Sequence, residues 1–517
     1  MSQNAIMSRN FADQLSKNLI SNIIFFLANI VIGIFLVPYF VSHLGVAAYG
    51  LIPLASSITG YAAIVIQSLN SSVSRFLTVN LQREDYAAAN RTFNTAFFGL
   101  TAVILLMVPI VLVIAWFFPS IFQVPTGKDI GSAFLFIGVC AAFFLRSWSG
   151  NFTVQLFAYN RLDLQNFVNL ANLFVQTGLI IFFFTYFSPN LALVGVAYLA
   201  GAVVASGISI VLAWRVCPFL RVSIYSFDRA RVKDLCGMAG WIIINNIGSL
   251  LFLQIDLIIV NLLFGATSAG AYAIALQWVI LLRAFATMLS GVLTPTIFSC
   301  YARGETKSLI RITKSAVKLM GFIVALPIGL VCGFASQLLT VWVGSDFTNL
   351  APLMVLLTVH LSVNLAVSPI FSINMVHNKV RVPGILTFAM GIANIALAVA
   401  LPLLTGCGYY GVAAAGAIVL TMKNAFFTPW YATKVLGIDA HSFNRSILSG
   451  VAATFVVGTS ATILGAVLPL ASLAMLAVAG ALITLAYLGA VWTFGLSGFE
   501  RGLLKSCLPS KLRRITL

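Results

Sequence analysis

Two arginines, Arg146 and Arg283, each stand near the middle of an apolar run long enough to cross a membrane, and neither run contains an obvious acidic partner. A guanidinium so placed cannot easily reach an interface, and charge inside hydrocarbon is kept only where it faces protein or water. Two such groups make a water-filled cleft electropositive, and the planar guanidinium fork matches a phosphate or pyrophosphate. The alternative for each is a structural role, paired with helix carbonyls or a distant carboxylate. Lys423 and Arg75, towards the cytoplasmic ends of two other runs, are candidates to continue an anion path to the inner mouth, and equally suit an ordinary interfacial place. Asp256 is the only carboxylate well inside an apolar run. Two roles stay open for it: binding the H+ or Na+ that drives transport, or balancing an arginine. Asn245 and Asn246, with Asn22, Asn29, Asn364, Asn374 and Asn394, supply amides that either glue helices together or line a polar cleft for sugars.

These residues need a membrane scaffold to position them. Of 517 residues, 61% are hydrophobic and 8% charged, against about 25% charged in soluble chains. A helix crosses the hydrocarbon core with about 20 apolar residues, and runs of that length recur from Leu19 to Trp492. Short alternating segments, the mark of a transmembrane barrel, are missing from this pattern. Charge gaps and turn residues divide the chain into about fourteen spans. The first six cover 19–41, 49–74, 93–118, 131–157, 164–187 and 191–214. The next six cover 236–262, 268–299, 317–340, 349–375, 382–403 and 408–431, and the last two 446–469 and 472–495. The fold class is thus an all-α polytopic membrane protein.

Almost every basic loop residue falls on one side of this arrangement; Lys128 is the exception. Cytoplasmic loops carry such an excess, which places both ends inside and predicts contact with anionic lipids of the inner (plasma) membrane. The net charge of +17 is therefore a topological signal, and no nucleic-acid partner is expected. The seven cysteines and four histidines are scattered without ligand spacing, so no metal or other cofactor is expected. The amino-terminal segment reads as a polar lead into a permanent first span rather than a cleavable signal. No Walker lysine loop or HExxH motif occurs, so active transport would draw on an ion gradient or a downhill substrate. A membrane glycosyltransferase or polymerase would usually carry acidic catalytic residues near one face and a sizeable outer loop. Neither is visible in the sequence.

A weak echo recurs at an offset of 220. Gly45 corresponds to Gly265, each followed closely by a tyrosine (Tyr49, Tyr272), and Arg83 and Asp85 correspond to Arg303 and Glu305. Six spans separate the partners, which predicts two six-helix lobes in parallel orientation, related by a pseudo-twofold axis along the membrane normal and facing a cleft. The lobes would be 1–225 and 226–435, with 436–517 adding two helices and a basic cytoplasmic tail.

The motifs fall in a particular order. Leu44-Gly45 and Tyr49-Gly50 follow the first span, and Asp256 precedes Gly265, Gly270, Tyr272 and Ala273. Then come Leu338-Leu339-Thr340-Val341-Trp342-Val343-Gly344, Asn378-Lys379 before Pro383, and Gly391 and Asn394 ahead of Gly408-Tyr409-Tyr410-Gly411-Val412-Ala413-Ala414-Ala415. Over residues 15–430 this order resembles the polysaccharide-type members of the multidrug/oligosaccharidyl-lipid/polysaccharide exporter superfamily. The resemblance implies the MATE-like fold of that superfamily and a flippase rather than an enzyme. Its substrate would be a polyprenyl-diphosphate-linked oligosaccharide for cell-surface polysaccharide such as O-antigen, moved to the outer leaflet by alternating access. It also implies a basic central cavity, which Arg146 and Arg283 match in character, and polysaccharide polymerase machinery as a partner. The lipid II flippases of the superfamily look for an arginine in span one, where this chain has Asn22 and Asn29. Its multidrug exporters often use a carboxylate there, and this chain has none; an ion-coupled exporter of organic cations is the alternative function.

Overall fold

Within hydrocarbon each backbone N–H and C=O must be satisfied by the chain itself, so apolar runs of this length fold as helices. The computed structural model describes residues 3–82, 85–218, 220–228, 246–252 and 254–507. Thirteen helices among them are long and apolar enough to cross a membrane. The chain forms two compact units, Met1–Ala273 and Ile274–Leu517.

The first unit contains α1 (Gln3–Leu44), α2 (Val46–Gln82), α3 (Tyr86–Ile121), α4 (Asp129–Ala158), α5 (Leu162–Tyr186), α6 (Leu191–Val216) and the beginning of α7 (Ile255–Ala302). Small residues set its closest packing: a Cβ added to Gly138 of α4 would stand 2.5 Å from the Gly195 carbonyl of α6. In lipid, where apolar surface alone does not favour association, such close approach is what holds helices together.

The apolar stretch 246–291 is 46 residues long, about twice what one crossing needs. It is broken at Gly265, whose φ of 90° suits only glycine without strain. The Tyr272 hydroxyl donates to Asp256 Oδ2 at 3.2 Å. Along a straight helix those residues would lie about 24 Å apart, so the two arms double back at Gly265, in line with the separate runs read at 236–262 and 268–299. The bend is pinned from the α3–α4 loop. There the Gln123 N–H donates to Asn261 Oδ1 at 3.0 Å and the Asn261 amide returns a bond to Gln123 O at 3.2 Å. Asn261 is fully buried.

In the second unit α8 (Thr306–Gly333) runs unbroken through Pro327 and is followed by α9 (Ala335–Trp342). The span read as 349–375 is three pieces, α10 (Ala351–Val359), α11 (Leu361–Ala366) and α12 (Ser368–Val376). Pro369 sits in the first turn of α12, where a missing N–H breaks no helical bond. After α13 (Arg381–Thr405), α14 (Tyr409–Met422) passes through a π-turn at Lys423–Phe427 into α15 (Thr428–Leu436). α16 (Asn444–Val467) lies directly on α8: a Cβ on Gly321 would be 3.1 Å from Gly450 Cα, and one on Gly333 2.5 Å from Ala461 Cβ. α17 (Leu473–Ala490) leads to a short amphipathic α18 (Gly498–Cys507). That last helix is tied to α8 by Lys318–Glu500 at 2.9 Å and by Arg311 stacked 3.7 Å over the Phe499 ring.

Candidate functional site

In the first unit a stripe of polar side chains leads to Arg146. Asp163, Asn166 and Asn169 recur every third residue of α5 and so share one face. Arg161 grips Asp163 with two bonds of 3.0 Å, and Gln14 of α1 adds a third at 2.9 Å. The bond to Asp163 holds the Arg161 guanidinium above its ordinary pKa. Asn166 donates to Asn22 Oδ1 at 2.7 Å and to Ser21 Oγ at 3.0 Å. One turn on, Asn169 Oδ1 accepts from Arg146 Nη2 at 2.5 Å. Arg146 is half-buried; its Nη1 is fully buried and has no hydrogen-bond partner, and among the described residues no carboxylate forms an ion pair with it. The group is oriented but not neutralised.

In the second unit Arg283 opens a polar seam. Thr287, Ser290 and Thr294 continue its face of α7, while His360, Asn364, Ser368 and Ser372 recur every fourth residue down the broken span opposite. Ser290 and Ser368 hydroxyls bond at 2.7 Å, and Thr294 and Ser372 at 3.3 Å. Arg283 lies within electrostatic reach of His360. Asn364 donates to His360 Nδ1 at 2.7 Å and accepts from Asn424 of the π-turn at 3.0 Å, while Thr428 donates to Asn424 at 3.2 Å. Lys423, next in the chain to Asn424, stands over the Phe371 ring at 5.5 Å. It lines an apolar cavity of about 910 Å³ bounded by Leu386, Met390, Phe426, Trp430 and Leu448.

The remaining candidates separate from these clusters. Asp256 accepts from Tyr272, with Tyr61 of α2 near enough to feel its charge. Asn246 lies half-buried at the start of the helical stretch leading to α7, and Asn245 falls outside the described residues. Arg75 belongs to α2, but its side chain is outside the described part. Among the described residues no group of three or more His, Cys, Asp and Glu side chains is arranged to hold a metal. Asn169, His360 and Asn424 were not singled out from the sequence. The fourfold spacing of His360, Asn364, Ser368 and Ser372 was the available signal for the second cluster, whereas Asn169 becomes informative only once α4 and α5 are side by side.

Residues 15–301 match the family described as Polysaccharide biosynthesis protein. The chain is 31% identical over 438 residues to the "Uncharacterized membrane protein EpsK" of Bacillus subtilis (strain 168), covering 84% of this chain and 86% of that one. The solved lipid II flippase MurJ, in an inward closed conformation, shares the fold with a TM-score of 0.65 at 14% identity, over 93% of this chain and 100% of that one. An inward-facing MATE multidrug transporter of the MOP superfamily gives 0.61 at 14%, over 79% and 94%. The chain belongs to the polysaccharide biosynthesis protein family and is a multi-pass membrane protein with the fold shared by the MATE and MurJ proteins.

Proposed function

We propose that this protein is a flippase-type transporter of the MOP superfamily, located in the inner (plasma) membrane. It carries a polyprenyl-diphosphate-linked oligosaccharide from the cytoplasmic to the outer leaflet for cell-surface polysaccharide synthesis. The observation that carries this reading is Arg146: one amine is fixed on Asn169 and the other is buried without a partner. Desolvating a cation without compensation is costly, and a diphosphate supplies both the charge and the acceptor atoms. The amides of α5 and α1 offer sugar hydroxyls a path towards that guanidinium. The prenyl tail stays in lipid, because exposing it to water costs about 0.8 kcal/mol per CH₂. Arg283 is the corresponding anion contact of the second unit, with Lys423 and Arg75 further along the path, Asn245 and Asn246 as sugar contacts, and Asp256 as a site for H+ or Na+ coupling.

Turnover is by alternating access, with fourteen crossings and both ends cytoplasmic, the side that receives most loop arginines and lysines. Lobes of 1–225 and 226–435 are supported by local geometry that recurs. Gly45 and Gly265 both have left-handed φ, 83° and 90°. Asn160 and Asn378 end their helices at φ 56° and 53°, each followed by a basic residue whose N–H returns to a carbonyl five residues back. Anionic lipids flank the basic loops, and the polymerase that consumes the flipped lipid is the partner this reading implies.

The test is outer-leaflet delivery of a polyprenyl-diphosphate sugar by the reconstituted protein. Delivery is expected from wild type and not from Arg146→Gln present in equal amount. Equal delivery by both proteins would remove Arg146 from the path. Energised efflux of a cationic dye without lipid delivery would favour the organic-cation exporter instead.

A further inference from the structure

The hydrogen bonds around His360 run in one direction. Asn364 Nδ2 lies 2.7 Å from His360 Nδ1, 2.9 Å from the His360 carbonyl and 3.4 Å from Thr421 Oγ1. Its Oδ1 accepts from Asn424 Nδ2 at 3.0 Å, and Asn424 Oδ1 accepts from the Thr428 hydroxyl at 3.2 Å. With the Asn364 amide so oriented, His360 Nδ1 must accept, and the ring is neutral with its proton on Nε2. The chain joins two interruptions: the break between α10 and α11 at His360, and the π-turn that carries Asn424. π-turns inside helices often mark functional sites.

A proton added to His360 would turn Nδ1 into a donor facing the donor amide of Asn364. Asn364 must then turn over, exchanging its bond to the His360 carbonyl for one accepted from the imidazolium; this sets donor against donor at Asn424, and Asn424 must follow. Only at Thr428 does the conflict end, because a hydroxyl donates or accepts equally well. One proton therefore reverses, or breaks, the whole connection between the tenth span and the π-turn beside Lys423.

The Ser290–Ser368 and Thr294–Ser372 pairs advance together by four residues, and the same register carried back along both helices brings Arg283 of α7 opposite His360, as the neighbouring charge that acts on it. Lys423 stands over Phe371, and Cys332 of α8 bonds Thr358, two residues before the histidine. Of the carboxylates of the second unit, Glu305, Asp439 and Glu500 lie outside the spans, and Asp346 lies in the opening 3-10 turn of the span Ser345–Val376, fourteen residues before His360. A neighbouring cation disfavours a second positive charge, and an anion on Arg283 removes that opposition. By linkage, a proton on His360 must in turn strengthen anion binding at Arg283.

We propose that His360 is a proton-binding site linked to anion occupancy at Arg283, and that its protonation reverses the hydrogen-bond chain from Asn364 through Asn424 to Thr428. The linkage rests on reading Arg283 as an anion contact. The proton comes from water and ends on Nδ1, with no other covalent bond changed. The Ser290–Ser368 and Thr294–Ser372 hydroxyl pairs, in each of which either oxygen can donate, offer it a route along the seam.

The test is nitrogen NMR of the histidine rings in the full chain in lipid nanodiscs, with His360→Gln identifying the signal, alongside calorimetric binding of polyprenyl diphosphate. Without ligand at pH 7 the ring is expected neutral and protonated on Nε2. With ligand its titration midpoint is expected to rise by about one pH unit, the lower end of usual site-to-site coupling. A ring protonated on Nδ1 without ligand overturns the chain. Binding heat with an unmoved midpoint overturns the linkage alone, whereas no binding heat overturns the anion reading and the linkage with it. Asn424→Leu is expected to flatten the pH profile of lipid delivery while leaving the ring's tautomer unchanged; an unaltered profile counts against the reversal.

Discussion

At Arg146 the Asn169 amide fixes the direction of the guanidinium without cancelling its charge, which suits an anion that must later leave. Hydrogen bonds to charged groups contribute about 1.5–3 kcal/mol. Arg146→Gln and Arg283→Ala are therefore each expected to lower outer-leaflet delivery at least tenfold with protein abundance unchanged. Delivery at the wild-type rate from Arg283→Ala would place that residue in a structural role. In α18, docked on α8, burial alone would raise the Glu500 carboxyl. Lys318 at 2.9 Å and Ser497, whose N–H donates at 2.8 Å, outweigh it and hold the group below its ordinary range. A depressed carboxylate stabilises the docked state above the free pKa of about 4.3 and loses that contribution as pH falls through the docked value. The protection of α18 amides against hydrogen exchange, relative to the intrinsic rate at each pH, should accordingly be high at neutral pH and fall in acid. Glu500→Gln should show low protection at both.

Helices in this protein meet where side chains are missing. Gly138 and Gly195 allow α4 onto α6, and Gly321, Gly333 and Gly450 allow α16 onto α8. Gly138→Val would drive its branched side chain into the Gly195 backbone, and overpacking of this kind costs about 1–3 kcal/mol. A lower thermal midpoint in detergent and reduced yield are expected; an unchanged melt would mean that the two helices separate without penalty. Gly265→Ala combines a left-handed φ, about 1–2 kcal/mol for a residue with a Cβ, with a contact of 2.8 Å to the Gln123 side chain. It should destabilise measurably more than Gly99→Ala, whose added Cβ meets nothing within 4 Å. Periodic composition located most helices, but it could not reveal that the tenth span breaks at His360 or that the twelfth passes through a π-turn. Those features are joined by a hydrogen bond between elements distant in sequence, from Asn424 to Asn364.

For the whole protein, depletion in its native cell should leave a lipid-linked sugar on the cytoplasmic leaflet, and mass spectrometry of that pool would identify the cargo. No accumulation would contradict the flippase reading. The sequence by itself determined the membrane class and the sites of nearly all spans, and it singled out the two arginines inside apolar runs. Apolar length and loop charge act locally against the bilayer, so no knowledge of neighbouring helices is needed to read them. The order of motifs also pointed to the exporter superfamily. Tertiary structure alone decided that Arg146 rests on Asn169, that α7 folds back so that Tyr272 reaches Asp256, and that His360 faces a chain of amides. A polar side chain inside a membrane takes its meaning from the partner that satisfies it, and that partner is supplied by packing rather than by sequence proximity.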